Sequence, residues 1–170
     1  MLVKNSMPYI MASLQSFLEQ DYKNKELIIV YSKSDDGSFE YLNNRKTKNI
    51  KIYFLNKNLY SCLNYGIKKS KGEVIGILHS DDILYDKNVL SDVAKSFIKK
   101  KADIVYGNII YSKRNEIFSL IRVWDNIKLN NKYDLPPHTS TFVRRKLYNN
   151  NFYNPNYKIS SDTNFLLNIF

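Results

Sequence analysis

Val74-Ile75-Gly76-Ile77-Leu78-His79-Ser80-Asp81-Asp82 is an apolar run that ends abruptly in two neighbouring carboxylates. Its first five residues, apolar but for Gly76, read as a strand covered on both faces. Acids at the carboxyl end of such a strand stand where open α/β sheets bind ligands. Two adjacent carboxylates repel each other unless positive charge lies between or beside them. A divalent cation carrying a diphosphate supplies that charge, because hard cations take oxygen ligands and share phosphate oxygens with the protein. The plainer alternative is a helix N-cap following a strand, since Ser and Asp both cap well.

Outward from that run, strands and helices alternate. Upstream, residues 6–20 read as a helix, with Ser6 as cap, Pro8 in the first turn and Ile10, Leu14, Phe17 and Leu18 on one face. Glu26–Tyr31 and Lys51–Leu55 read as strands, separated by the turn Ser34-Asp35-Asp36-Gly37-Ser38 and a short helix. Tyr60–Ser70 is a helix stopped by Lys71-Gly72. Downstream, Asn88–Lys101 is an amphipathic helix with Val89, Val93, Phe97 and Ile98 inward. Asp103–Tyr111 reads as a strand that residues 117–123 can pair with. A loop rich in Asn and Lys runs to Pro136-Pro137, Thr139–Arg144 is β-like, and Ser161–Phe170 is a last helix.

The alternation over the first two-thirds calls for a mostly parallel sheet with right-handed crossovers. The last third breaks it. The expected organisation is one α/β domain over 1–170, with a nucleotide-binding half at 1–111 and a smaller half at 112–170 that completes the pocket.

Composition bounds the function. A chain of 170 residues, 44% hydrophobic and 25% charged, suits one soluble domain with a real core. The net charge of +10 favours anionic partners: nucleotides, phosphorylated lipids, an anionic membrane face or nucleic acid. The densest basic clusters, Lys68-Lys69-Ser70-Lys71 and Lys99-Lys100-Lys101, each close a helix and read as solvated ends that complement the helix dipole. No recognition helix or RNA-binding signature accompanies the charge, so no specific nucleic-acid partner is expected. Cys62 is the sole cysteine, which excludes an intrachain disulfide and a Cys-based metal site. No apolar stretch approaches ~20 residues and no signal peptide is visible, so a cytoplasmic setting is expected.

Several segments, in order, resemble the family 2 glycosyltransferases of the GT-A fold, nearest those that build bacterial surface polysaccharide. Ser13–Val30 is similar to the family's opening helix and next strand. Ser34-Asp35-Asp36-Gly37-Ser38 resembles its Ser-Thr-Asp-Gly-Thr turn. Asn64-Tyr65-Gly66-Ile67 with Lys71-Gly72-Glu73 resembles the helix before its acidic motif, and His79-Ser80-Asp81-Asp82 stands where its DXD-type motif lies. Asp103–Asn108, Pro137–Phe142 and Ser160-Ser161-Asp162 resemble three later segments.

The resemblance implies a Rossmann-like GT-A sheet with flanking helices. The implied activity is inverting, hexosyltransferase-type transfer from a nucleotide-diphosphate sugar to an acceptor hydroxyl of a glycan or a lipid-linked carrier. It implies Asp82 as ligand to Mg²⁺ or Mn²⁺, and Asp81 as support for the donor's ribose or the metal's water shell. Asp162 takes the place of the general base, with helix capping by Ser161 or Asp162 as the plainer alternative. Tyr60 follows the donor-side loop. His138, Arg122 and Trp124 are candidate pocket residues, with Trp suited to stacking on a sugar. A lipid-linked acceptor implies peripheral contact with the anionic inner membrane face.

Three departures accompany the likeness. Only Met1-Leu2-Val3 remains of the first strand, so that strand is expected to be largely missing. Tyr31 stands where an Asp usually holds the nucleotide base. Tyr can stack on a base but does not accept hydrogen bonds as a carboxylate does. The acids Asp35 and Asp36 come a few positions later in the turn, so Tyr31 and Asp36 are the donor-side candidates here. The chain ends inside the helix after Asp162. A reading as truncated at both ends follows, and with it the alternative of a catalytically inactive remnant or binding protein.

Overall fold

The computed structural model describes residues 1–113, 116–125, 128–129, 131, 134–149 and 151–170, with backbone only at 117 and 118. In chain order the elements are β1 (Leu2–Val3), α1 (Tyr9–Leu18), β2 (Leu27–Tyr31), α2 (Ser38–Asn43), β3 (Ile50–Phe54) and α3 (Leu59–Lys69). There follow β4 (Val74–Gly76), α4 (Val89–Lys100), β5 (Ile104–Tyr106), β6 (Ile109–Lys113), β7 (Glu116–Trp124), β8 (Thr141–Arg144) and α5 (Ser161–Ile169). The Asn- and Lys-rich loop ahead of Pro136 lies partly outside the described residues.

The first sheet is parallel, in the order β1-β2-β3. All five residues of β2 are buried, as an uninterrupted Leu-Ile-Ile-Val-Tyr run requires. The short β1 is a true strand: Leu2 pairs with Val30 and Val3 with Tyr31, and the Val30 N–H donates to the Met1 carbonyl at 2.9 Å. These bonds satisfy the edge of β2. Ile10 and Leu14 of α1 pack with Val3, Ile29 and Leu42 in one core cluster. Burying each such side chain contributes about 1.5–3 kcal/mol. Gly66 lets α3 approach β2 closely, since a Cβ there would lie 3.2 Å from Val30 Cγ2.

The second sheet is antiparallel, in the order β4-β8-β5. β8 comes from the last third of the chain yet sits between two strands of the first two-thirds, so both halves share this sheet. It backs onto a second core cluster that joins Tyr60, Leu63 and Ile67 of α3 to Val143 and to Tyr148, Tyr153 and Phe165. Tyr148 and Phe165 stack at 4.6 Å and 15°. Burial pushes the Tyr148 hydroxyl up to about 12 and raises Tyr153 further, so both phenols stay neutral.

Several sequence expectations are corrected. The strand expected over 74–78 leaves the ladder after Gly76, and only Ile75 in it is deeply buried. Gly76 faces Phe142 across the ladder, where an added Cβ would come within 2.5 Å of the ring. The strand expected over 103–111 is split: Gly107 N–H donates to the Ser140 carbonyl (3.0 Å) and Ser140 Oγ donates back to the Gly107 carbonyl (2.9 Å). The chain turns out of the sheet there, and β6 pairs with β7 instead. Leu18 and Ile98 are exposed, not inward. Successive helical residues lie about 100° apart, so burial of Phe17 and Phe97 turns the next residue outward. Ser6 does not cap α1 through its side chain; Pro8 occupies the N-cap, and Ser6 contributes its carbonyl to Ile10 N–H.

Candidate active site

The acidic corner is built by a turn after β4. His79 N–H donates to Asp82 Oδ2 at 3.3 Å, and Asp82 N–H donates to the His79 carbonyl at 3.2 Å. Ser13 Oγ of α1 donates to the same carbonyl at 2.9 Å. The hydroxyls of Ser6 and Ser80 meet at 2.9 Å. These bonds fix a corner that leaves Asp82 half-buried and Asp81 exposed.

Asp162 lies in the first turn of α5, and protein donors hold both of its oxygens. Tyr60 Oη donates to Oδ1 at 3.2 Å, and His138 Nδ1 lies 2.9 Å from Oδ2. Burial raises the Tyr60 hydroxyl above its usual range, so it stays protonated and donates. The same oxygen accepts the Ser161 N–H at 3.0 Å. Neither Ser161 nor Asp162 is the α5 cap: Ser160 takes that position in the left-handed region (φ 64°), and Ser161 Oγ accepts from Asn154 N–H. The other nitrogen of His138, Nε2, faces His79 Nε2 at 3.1 Å, so one proton bridges the two rings. Burial holds His79 below the usual imidazole range against the opposing pull of Asp82.

A hollow of about 430 Å³ opens over this arrangement. Asp82, His138 and Asp162 form its polar side, and Trp124, Tyr111 and Leu135 its apolar side. Arg122 is exposed, with its guanidinium carbon 5.4 Å from the centre of the Trp124 ring. Tyr60 stands behind Asp162 in the second core cluster.

Tyr31 and Asp36 do not line the hollow. The Tyr31 ring is buried between Phe39 (5.3 Å) and Phe54 (5.7 Å), and its hydroxyl accepts the Ser34 N–H. The Asp36 carboxylate accepts from Met7 N–H at 2.7 Å and Ser38 N–H at 3.0 Å. Slight burial pushes its carboxyl up, but the bonds from Ser38 and Met7 outweigh it and the net shift is down. The 31–38 turn reaches the acidic corner through Ser6: its N–H donates to Ser38 Oγ, and its hydroxyl touches Ser80.

Sequence reasoning missed the structural parts played by His79, Ser6 and Ser13. His79 was in plain view beside the acids, but its partner His138 is 59 positions away, where no spacing rule reaches.

The donor set suits one class of ion. Among the described residues, no three His, Cys, Asp or Glu side chains converge to hold a metal. A single half-buried carboxylate fits Mg²⁺ or Mn²⁺ that takes its remaining ligands from water and substrate phosphates.

Comparison with known proteins places this architecture. The family model for glycosyl transferase family 2 matches residues 1–166, and the chain belongs to that family. A glycosyltransferase of Haemophilus influenzae is 36% identical over 88 residues, covering 49% of this chain and 35% of that protein. Glycosyltransferase GlyG of Streptococcus pneumoniae is 30% identical over 110 residues, covering 62% and 36%. The chain therefore spans about a third of these two relatives. The crystal structure of S. aureus TarS 1-349 in complex with UDP-GlcNAc superposes with a TM-score of 0.81 at 22% identity, over 98% of this chain and 51% of that one. TarS 1-349 alone gives 0.80 at 21%, over 98% and 52%. The α/β fold is thus of the GT-A, Rossmann-like type. No described helix is long and apolar enough to cross a membrane.

Proposed function

We propose that this chain carries the donor-binding and catalytic part of an inverting glycosyltransferase. It moves a sugar from a nucleotide-diphosphate sugar to an acceptor hydroxyl on a glycan or lipid-linked carrier. The observation that supports this reading is the single hollow that Asp82 and Asp162 line together. The UDP-GlcNAc bound by TarS suggests the class of donor.

In this reading Asp162 is the general base. It takes the proton of the acceptor hydroxyl as that oxygen attacks the anomeric carbon from the side opposite the leaving group. The bond from the anomeric carbon to the diphosphate oxygen breaks, and its electron pair leaves with the diphosphate. One displacement inverts the centre. Tyr60 and His138 fix the plane of the carboxylate, and each Asp162 oxygen keeps a second lone pair for the incoming proton. Asp82 would hold Mg²⁺ or Mn²⁺, which when bound neutralises charge on the departing diphosphate. Asp81 supports the ribose side, and the turn carrying Tyr31 and Asp36 flanks the nucleotide. Trp124 and Arg122 form the acceptor wall. A lipid-linked acceptor would bring the chain to an anionic membrane face.

Calorimetric titration with nucleoside diphosphates and their sugars, with and without Mn²⁺, tests the donor site. The expected result is metal-dependent binding that Asp82→Ala abolishes and Asp162→Asn retains. Binding that ignores both Mn²⁺ and Asp82 would overturn the assignment.

A further inference from the structure

We infer that the edge of the domain remote from the carboxylate hollow is a docking surface for an anionic lipid bilayer. Taken singly, the lysine clusters closing α3 and α4 are ordinary helix ends. The fold places them on either side of a third basic segment, Arg144-Arg145-Lys146.

The seam is built by named bonds. Arg145 donates to the carbonyls of Gly72 (2.8 Å) and Ile67 (3.3 Å) and to Ser70 Oγ (2.8 Å), which ties it to the end of α3. Arg144 donates through Nε to the Ala102 carbonyl at 2.9 Å and lies over the Phe97 ring at 5.3 Å, which ties it to the end of α4. Lys146 pairs with Asp103 at 2.6 Å. Lys68, Lys69 and Lys71 therefore stand on one side of the seam. Lys99, Lys100 and Lys101 stand on the other, and all six are exposed. The acids seated here do not cancel this charge. Asp103 is shared by Arg144 and Lys146, and Glu26 is paired with Lys51. The exposed Glu73 is one acid against Lys71, Arg144, Arg145 and Lys146, which line the same shallow hollow.

Two apolar side chains select a bilayer over other polyanions. Ile98 is 78% exposed and directly precedes the α4 lysines. Phe152 is also exposed, with the Lys68 ammonium 4.9 Å from its ring centre. Lysines around an exposed apolar residue suit the headgroup boundary, where the residue enters the acyl region and the ammonium groups stay with lipid phosphates. β4 starts at this edge, and the chain running on from it reaches His79–Asp82 at the far end. Docking here leaves the hollow uncovered.

The test is co-sedimentation of the full chain with vesicles of mixed phosphatidylglycerol and phosphatidylcholine, against pure phosphatidylcholine. Binding to the mixed vesicles alone is expected, weakening steeply with salt. Each cation near such a surface strengthens binding about fivefold, so Lys99→Glu/Lys100→Glu/Lys101→Glu weakens it at least about 100-fold. Ile98→Asp weakens it about tenfold. All four changed side chains are exposed, and circular dichroism verifies that the variants stay folded. Equal binding to neutral vesicles, or unchanged binding by the triple variant, overturns the proposal. So does an Ile98→Asp variant of full affinity whose binding polyphosphate displaces, because that result describes a general polyanion surface.

Discussion

Replacing Tyr60 by Phe separates what its hydroxyl does from what its ring does. The ring is 4% exposed and packs against Tyr153 at 5.9 Å, and Phe keeps that packing. What disappears is one oxygen with two bonds. Ser161 N–H loses its acceptor in a buried place, which costs about 1–3 kcal/mol. Asp162 loses a donor, but its side chain is 22% exposed and water can replace part of that bond. The sum is a destabilisation of about 2–4 kcal/mol. For a chain of this size that lowers the melting temperature by roughly 4–16 °C. Urea unfolding followed by the fluorescence of Trp124 and by circular dichroism measures it. Phe165→Leu serves as control, since it loosens the same cluster without touching a hydrogen bond to Asp162. Both variants lose stability, but only Tyr60→Phe lowers turnover per folded molecule, by about tenfold or more as the base loses its fixed plane. A Tyr60→Phe protein within about 0.5 kcal/mol of wild type would mean that the Tyr60 hydroxyl does not hold Ser161 N–H, because a buried N–H would then lack an acceptor at no cost.

Other expectations follow from the same geometry. Gly76→Ala forces the Phe142 ring to move and costs about 1–3 kcal/mol in urea unfolding, and adding Phe142→Leu recovers most of that loss; a neutral Gly76→Ala would contradict the close approach. Asp36→Asn loosens the turn that Met7 and Ser38 close, at a cost of about 1 kcal/mol at pH 7. The Asp36 carboxyl titrates lower in the fold than in the unfolded chain. Its stabilisation is therefore complete above the unfolded value near 4 and is lost as pH falls through the folded value. Acid titration of stability shows this as a loss in wild type that is smaller in Asp36→Asn; identical acid profiles would remove Asp36 from the account. His138→Asn leaves donor affinity within about twofold but lowers the rate of transfer, because it frees one oxygen of Asp162 rather than the diphosphate site; a loss confined to donor binding would place His138 on the leaving group instead.

How much of this was legible depended on how far apart the cooperating residues lie. β2 and β3 were visible as short apolar runs, and α3 as a periodic one, because each signal is local. The corner at 79–82 was visible for the same reason. The clamp on Asp162 was not: Tyr60 and Asp162 are 102 positions apart, and a lone Tyr among 14 carries no mark of its partner. The placement of β8 between β4 and β5 was equally hidden, since a short β-like segment does not name its neighbours. Tyr148, Tyr153 and Phe165 form a tight aromatic core from segments with little periodicity, so only the folded chain shows them together. Ile98 looked inward by helical spacing, yet the deeper burial of Phe97 turned it to solvent.

The most direct trial of sugar transfer follows the glycosidic product itself. The full chain is incubated with a nucleotide-diphosphate sugar, Mn²⁺ and a panel of glycan acceptors, and NMR reads the anomeric configuration of whatever forms. An inverted linkage is expected, made by wild type and slowed about 10²–10⁴-fold by Asp162→Asn, with the variant's fold and donor affinity intact. A product of retained configuration, or one formed at the wild-type rate by Asp162→Asn, would contradict it.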